Sequence, residues 1–201
     1  MNKNKTELLR YLRNLKFPEN ILNAFQKVKR ENFIPKNQKE LSYEDVALPI
    51  GKGQTISQPY TIAFMLTLLE LGDKQIILEV GSGSGYVLAL INEISKNSEL
   101  YGIERIKELA DKSKKVLKKQ KNIHIIHDDG SKGLENKAPF DRILVSASAD
   151  KIPQKLVSQL KTGGVLVAPV KNSIIYIKRF ANENKVKEFP GFIFVPLIEE
   201  S

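Results

Sequence analysis

A glycine-rich turn follows a short apolar run near the middle of the chain. The run is Ile76-Ile77-Leu78-Glu79-Val80, and the turn reads Gly81-Ser82-Gly83-Ser84-Gly85-Tyr86. Glycines allow a sharp turn and a close approach of the backbone to a ligand. In an open parallel sheet, ligands bind where the strands end. The segment therefore predicts a ligand site, with a purely structural tight turn as the alternative.

The glycine spacing and two glutamates indicate which ligand this is. A dinucleotide fingerprint has its third glycine one position later, where Tyr86 stands. The carboxylate of Glu79 suits a ligand with an ammonium and a sulfonium group better than a pyrophosphate. Glu104 follows the next apolar run, about 20 residues after the glycines, where an acid can hold both ribose hydroxyls. Together these features favour S-adenosylmethionine over NAD, and an ordinary surface role is the alternative for Glu104.

A third apolar run ends in His127-Asp128-Asp129-Gly130. A carboxylate at this edge can accept a hydrogen bond from an adenine amino group, and an Asx-type turn is the alternative. The predicted cofactor-binding residues are Glu79, Gly81, Ser82, Gly83, Gly85, Tyr86, Glu104, Arg105, Asp129 and Gly130. The two histidines, His124 and His127, point to opposite faces of a strand, so no metal site is predicted.

The elements that must position these residues change character along the chain. Helical spacing of apolar residues predicts helices at Thr6–Leu15, Pro18–Val28, Pro59–Leu71, Tyr86–Ser95, Ile106–Gln120 and Pro153–Leu160, with Gly72 ending the third. Strands are predicted at Ile76–Val80, Leu100–Ile103, Ile123–Ile126, Arg142–Ser146 and Val165–Val170, and an antiparallel pair at Ile174–Phe180 and Phe192–Val195. This alternation predicts an α/β fold, with a doubly wound, mostly parallel sheet and N-terminal helices.

Length and composition are those of a globular protein. The 201 residues suffice for one domain. We divide it into an N-terminal helical and substrate-signature region (1–72), a cofactor-binding α/β core (73–170) and C-terminal strands (171–201). No apolar run approaches the roughly 18 residues of a membrane span, and no secretory signal is visible. The absence of cysteine excludes disulfides and thiolate zinc sites, so we expect a cytoplasmic protein. The lack of a long apolar run predicts no membrane partner.

The formal net charge of +9 could attract nucleic acid. Lysine and asparagine are abundant throughout the chain, however, and a general composition bias explains the charge equally well. We therefore do not expect nucleic acid as a partner.

Several segments resemble the protein-L-isoaspartate O-methyltransferases, and together they cover nearly the whole chain in order. The most specific is Gly53-Gln54-Thr55-Ile56-Ser57-Gln58-Pro59. Others are Arg30-Glu31-Asn32-Phe33-Ile34-Pro35, Tyr43-Glu44-Asp45, Leu48-Pro49-Ile50-Gly51, the glycine turn, Pro139–Val145, Leu160–Val170 and Phe194-Val195-Pro196-Leu197. The chain departs from the family at Asp128, usually glycine, at Ile193, often basic, and at Ser146–Ala149, usually rich in Thr and Ala.

This resemblance implies a Rossmann-like methyltransferase fold and a repair reaction. The methyl group of S-adenosyl-L-methionine would pass to the free α-carboxylate of L-isoaspartyl residues in damaged proteins, with D-aspartyl residues as a further substrate, and S-adenosyl-L-homocysteine would remain. The resemblance makes Ser57 the catalytic residue and assigns substrate binding to Thr55, Ile56, Ser57 and Gln58. With a solution pKa of about 3.5, such a carboxylate is already ionised at pH 7 and needs no general base. Partners would be isoaspartyl proteins and peptides, and we expect a monomer.

Three alternatives remain at this point. Thr55 and Ser57 have the residue types that cap a helix, here the helix predicted from Pro59. An RNA methyltransferase fits the charge, although Ser146-Ala147-Ser148-Ala149 lacks the Asn/Asp-Pro-Pro-aromatic motif of base-amino methylation. A non-catalytic S-adenosylmethionine-binding protein would keep the same fold.

Overall fold

The structure is a computed structural model that describes residues 4–194. Its α-helices are α1 (Lys5–Asn14), α2 (Glu19–Lys27), α3 (Pro59–Leu68), α4 (Tyr86–Ile94), α5 (Lys107–Val116) and α6 (Gln154–Ser158). Its strands are β1 (Leu48–Gly51), β2 (Gln54–Ile56), β3 (Ile76–Val80), β4 (Glu99–Glu104), β5 (Ile123–His127), β6 (Phe140–Val145), β7 (Leu160–Val170), β8 (Ser173–Arg179) and β9 (Asn184–Pro190).

The main sheet has the order β5-β4-β3-β6-β7-β8-β9 within the described range. Strands β3 to β7 pair in parallel, and β8 and β9 pair antiparallel to their neighbours. The predicted doubly wound, mostly parallel α/β sheet is therefore confirmed. The chain runs from β3 outward to β5 and then returns to β6 on the other side of β3. The crevice between the ends of β3 and β6 is the topological switch point, where ligands bind in such sheets.

Apolar residues of the sheet alternate between two cores. Ile77 of β3 packs in the core that includes residues of α1 to α5. Its neighbour Leu78 packs in the other core, together with Leu156 and Val157 of α6. Because successive strand residues point to opposite faces, nearly continuous apolar runs such as β3 become buried on both sides.

Helix α3 ends earlier than the apolar pattern predicts. It stops at Leu68, not at Leu71, because Glu70 adopts a left-handed φ of 51°. The side chain of Glu70 accepts hydrogen bonds from Tyr176 and Lys178, and its carbonyl accepts from Arg142. These tertiary contacts, rather than Gly72, fix the end of the helix.

The outer edge of the sheet also differs from the prediction. The strand that pairs with β8 is β9, and the predicted strand at Phe192–Val195 is wrong. Phe192 and Phe194 lie outside any strand and pack against other rings, while Val195 falls outside the described residues. The hydrophobic pattern did not predict β9, because this strand is exposed along most of its length and lacks an apolar face.

A β-hairpin that the sequence pattern did not predict carries the first part of the Gly53–Pro59 segment, including the predicted substrate residues Thr55 and Ile56. Strands β1 and β2 pair antiparallel, with Leu48 opposite Ile56. Lys52 and Gly53 form the turn with φ values of 55° and 71°. Since Ile50 and Ile56 are buried, the hairpin is anchored to the core and holds Thr55 beside the switch point.

Candidate active site

The glycine turn lies directly after β3 and packs against β4. Gly81, Gly83 and Gly85 all have positive φ, at 78°, 52° and 81°. The amides of Gly81 and Ser82 donate to the carbonyl of Ile103 at 2.9 and 3.0 Å. A side chain at Gly85 would also bring its Cβ to 2.6 Å from Leu117. The sequence therefore needs glycine here for conformation and for close packing.

Glu104 holds this turn in place. Its Oε2 accepts a hydrogen bond from the Gly83 amide at 2.8 Å, and its Oε1 accepts from the Ile106 amide at 2.8 Å. The side chain is buried, so the alternative of an ordinary surface residue is wrong. An ionised carboxylate has about four lone-pair positions, which leaves acceptor capacity toward the cleft that Glu104 lines.

Asp129 and Gly130 line the same cleft, together with Arg105. Asp129 precedes a short 3-10 turn and accepts hydrogen bonds from the amide and the hydroxyl of Ser131, both at 2.9 Å. Locally this is the Asx-type geometry that Asp-Gly favours. A contact from Asp129 to an adenine amino group stays a prediction, and the two roles are compatible.

Glu79 is the buried ionisable group of the site. Its side chain is 1% exposed, and its Oε1 accepts a hydrogen bond from the Ser146 hydroxyl at 2.7 Å. Burial raises the pKa of Glu79 to about 8; the hydrogen bond from Ser146 opposes this shift, and the nearby Glu104 adds to it. The other oxygen, Oε2, and the hydroxyl of Ser82 have no hydrogen-bond partner within residues 4–194.

These unpartnered groups test whether the residues fit the expected cofactor. A buried acceptor without a donor is costly unless a ligand supplies one. Glu79 and Ser82 line one cleft with Gly81 and Gly83, and a carboxylate there attracts a cationic group. The site therefore fits the ammonium and sulfonium end of S-adenosylmethionine.

The elevated pKa of Glu79 predicts a pH-dependent affinity for S-adenosylmethionine. Below its pKa the carboxyl is mostly protonated, and it must lose this proton to pair with a cation. We expect the affinity to rise about 20-fold from about pH 6 to about pH 7.5, measured by titration calorimetry.

The variant Glu79→Gln provides the control for this titration. It should bind more weakly and with little pH dependence, while the amino group of the ligand titrates in the same way in both experiments. A flat profile in the wild-type protein would contradict the assigned role of Glu79.

Thr55 and Ser57 lie on a wall shared by two clefts. The first cleft contains Glu79 and the glycine turn. The second is lined by Ala47, Thr55, Ser57, Gln58, Thr61, Ile193 and Phe194. Ile56 is buried and borders the first cleft, and Gln58 borders the second. The structure thus brings the predicted substrate residues next to the predicted cofactor residues.

The structure contradicts the alternative that Thr55 and Ser57 cap α3. The residue at the N-cap position is Gln58, and its own side chain makes no capping hydrogen bond. Instead, Asp45 accepts a hydrogen bond from the amide of Tyr60 at 2.7 Å. The hydroxyl of Ser57 is therefore not used for capping.

Tyr86 begins α4 and belongs mainly to the core. Its ring is 2% exposed and packs against Phe25 and Phe33, with centroid distances of 6.3 and 5.3 Å. Burial raises the pKa of its phenol. Tyr86 still borders the Glu79 cleft, so its contact with the cofactor stays a prediction.

Arg30 supports the acceptor side, a role that sequence reasoning missed. Its guanidinium is fully buried and donates to the carbonyls of Ser42, Glu44, Val46 and Ser57, at 3.1, 3.3, 3.0 and 3.0 Å. It therefore ties the segment before the hairpin to the backbone of Ser57. In the sequence, only its place in the Arg30–Pro35 segment set it apart from the many surface cations.

Ser146 was noted in the sequence only as a departure from the family pattern. It directly follows β6, and its amide donates to the carbonyl of Val80 at 2.8 Å. Its position could have predicted this role, because a polar residue at the end of the strand next to β3 lies beside Glu79.

Within residues 4–194, no three His, Asp or Glu side chains form a group that could hold a metal ion. In the same part of the chain, no helix has the length and hydropathy needed to span a membrane.

Residues 2–201 match the family model of the Protein-L-isoaspartate(D-aspartate) O-methyltransferases. The chain belongs to this family. It is 46% identical to the protein-L-isoaspartate O-methyltransferase of Petrotoga mobilis over 190 aligned residues. The alignment covers 90% of this chain and 88% of that protein. It is 41% identical to the enzyme of the same name from Ignicoccus hospitalis, over the full length of both chains.

A solved structure supports the family assignment. It is a Plasmodium falciparum chain described as a protein-L-isoaspartate O-methyltransferase and crystallised in complex with S-adenosyl-L-homocysteine. The two chains share 27% sequence identity and superpose with a TM-score of 0.84, covering 98% of this chain and all of the other. The Rossmann-like methyltransferase fold of this family member is thereby confirmed.

Proposed function

We propose that this protein transfers the methyl group of S-adenosylmethionine to the free α-carboxylate of L-isoaspartyl residues in damaged proteins. One observation carries the proposal: Thr55 and Ser57 form a wall between the cleft of Glu79 and a second cleft beside α3. A methyl donor in the first cleft and a carboxylate in the second would meet at this wall. Family membership favours this reaction over RNA methylation or a non-catalytic role.

On the donor side, each group has a defined task. Glu79 pairs with the cationic end of the cofactor, and Glu104 accepts hydrogen bonds from the ribose hydroxyls. Asp129 receives the adenine amino group. When bound, S-adenosylmethionine supplies an electrophilic methyl group on its sulfonium. Glu104 also fixes the glycine turn through the amides of Gly83 and Ile106, so the pocket is ordered by the same carboxylate that holds the ligand.

On the acceptor side, the task is positioning. The substrate carboxylate is ionised near neutral pH, so no residue has to remove a proton. The hydroxyl of Ser57 donates a hydrogen bond to one carboxylate oxygen and leaves the other free to attack. Arg30 holds the Ser57 backbone through its carbonyl, which restricts the orientation of this hydroxyl. Correct orientation of reacting groups lowers a barrier without any proton transfer.

Several finer points belong to this proposal as expectations. The protein is expected to act as a monomer in the cytoplasm, to accept D-aspartyl residues also, and to have no membrane or nucleic-acid partner. The division of the chain at residues 72 and 170 remains a prediction of the same kind.

Ser57→Ala provides the test of this function. It should reduce methyl transfer to an isoaspartyl peptide by about 10- to 100-fold, because one hydrogen bond to a charged group is lost. The affinity for S-adenosylmethionine should change little, since Ser57 serves the acceptor. The measurement is transfer of labelled methyl groups to an isoaspartyl peptide, its aspartyl counterpart and bulk RNA.

The matched control is Ser158→Ala on α6, where the hydroxyl only bonds to the carbonyl of Lys155. This variant should keep wild-type turnover. Full activity of Ser57→Ala would reject its catalytic role. Methylation of RNA but of neither peptide by the wild-type protein would reject the proposed function itself.

A further inference from the structure

An apolar trough continues from the second cleft, away from Glu79. We define this aromatic trough by Tyr60, Phe64, Phe189, Phe192 and Ile193. Its lining and that of the Ser57 cleft share Gln58, Thr61 and Ile193. A path of shared residues therefore leads from the glycine turn, past Ser57, to the aromatic trough.

The rings of the aromatic trough hold one another in place. Tyr60 and Phe192 are almost parallel, with an interplanar angle of 8° and a centroid distance of 6.4 Å. Phe64 stacks on Phe192 at 5.2 Å and meets Phe189 edge-on at 5.3 Å. Because each ring is packed against another, the trough has a defined shape.

The apolar residues of the aromatic trough are unusually exposed to solvent. The side chain of Ile193 at its rim is 92% exposed. Tyr60, Phe64, Phe189 and Phe192 are only partly buried. The lining residues within the described range include no charged side chain. When a partner covers exposed apolar surface beside a binding cleft, removing that surface from water contributes favourably to the free energy of binding.

We propose that the aromatic trough binds a large apolar side chain of the substrate polypeptide, close to the isoaspartyl residue. The inference rests on the proposed function, because that function places a polypeptide in the Ser57 cleft. A chain bound there continues on both sides of its modified residue. In an extended chain, side chains two positions apart point to the same side, and a residue advances the chain by about 3.3–3.6 Å. The trough next to the Ser57 cleft thus receives a side chain about two positions from the isoaspartyl residue.

The occupant follows from the chemistry of the lining. A phenylalanine or tyrosine side chain would stack on Phe192 and Tyr60 and cover Ile193. An aspartate would lose its hydration there without gaining a cationic partner. The enzyme therefore prefers isoaspartyl sites with an aromatic neighbour over sites within acidic stretches.

The experiment compares isoaspartyl peptides that differ at one position. In one set this position lies two residues before the isoaspartyl residue, and in a second set two residues after it; it carries Phe, Leu, Ala or Asp. Binding is measured by fluorescence anisotropy with S-adenosyl-L-homocysteine present, and kcat/KM by transfer of labelled methyl groups. In at least one set, we expect Phe to exceed Ala by about tenfold in both measurements, with Asp the weakest.

A surface substitution locates the preference in the aromatic trough. Ile193→Asp should reduce the ratio of Phe to Ala peptides to about one, because a carboxylate then stands at the rim. Val186→Asp is the matched control, since Val186 is 50% exposed on β9 and does not line the trough. This control should keep the wild-type ratio. The melting temperature and the affinity for S-adenosyl-L-homocysteine show whether each variant is folded.

The outcomes separate the inference from the function on which it rests. Equal binding and equal kcat/KM for the Phe and Ala peptides in both sets would overturn the inference while leaving the repair activity intact. A preference for Phe that survives in Ile193→Asp would also overturn it. Failure to methylate any isoaspartyl peptide would instead reject the proposed function, and the anisotropy ratio would still decide whether the trough binds aromatic side chains.

Discussion

Replacing Glu104 with alanine is expected to lower the affinity for S-adenosylmethionine by about 150-fold or more. Two hydrogen bonds from ribose hydroxyls to a carboxylate would be lost, each worth about 1.5 kcal/mol or more. The same substitution removes the acceptor for the amides of Gly83 and Ile106. The glycine turn would then lose part of its order before any ligand binds, so the ribose contacts alone give the lower bound.

Titration calorimetry measures this effect, and Glu99→Ala provides the control. Glu99 begins the same strand, is exposed, and bonds to His124 instead of the turn. It should bind the cofactor like the wild-type protein. If Glu104→Ala bound S-adenosylmethionine with unchanged affinity, Glu104 would be a purely structural residue.

Arg30→Met should have the largest effect on folding. Four carbonyls would lose their buried donor, and unsatisfied buried groups cost about 1–3 kcal/mol each, reduced where water can enter. We expect the free energy of unfolding to fall by about 4 kcal/mol, measured by urea denaturation. For a protein of this size, this corresponds to a decrease of roughly 8–16 °C in melting temperature.

Arg10→Met on α1 is the matched control, because Arg10 is exposed. It should change the free energy of unfolding by no more than about 0.5 kcal/mol. A similar small loss for Arg30→Met would mean that water or other donors replace the guanidinium. In that case, Arg30 would not be what holds the backbone of Ser57.

The sequence predicted the parts of the molecule whose signals are local. The apolar run of β3 and the three glycines after it required no knowledge of distant residues. Glu79 and Glu104 could be placed at one edge because parallel strands end on the same side of a sheet. These inferences needed only the order of the elements along the chain.

What the sequence missed depends on contacts between distant segments. Strand β1 pairs with β2 through contacts such as Leu48 opposite Ile56. Because β1 is short and contains proline and glycine, it shows no alternating pattern that would predict a strand. Glu70 ends α3 through partners more than 70 residues away. Arg30 looks like any surface cation until four carbonyls are seen around it. In each case the deciding interaction is tertiary and overrides the local pattern.

Strand β9 leaves one edge of the main sheet open, within the described residues, and its composition governs what can attach there. An open edge presents unpaired amides and carbonyls that can recruit other extended chains. A protein that repairs damaged polypeptides would meet many partly unfolded ones. Lys185 and Lys187 place positive charge along this edge, and Pro190 at its end has no amide to donate. The edge is thereby protected against self-association and against aggregation with the chains that the enzyme repairs.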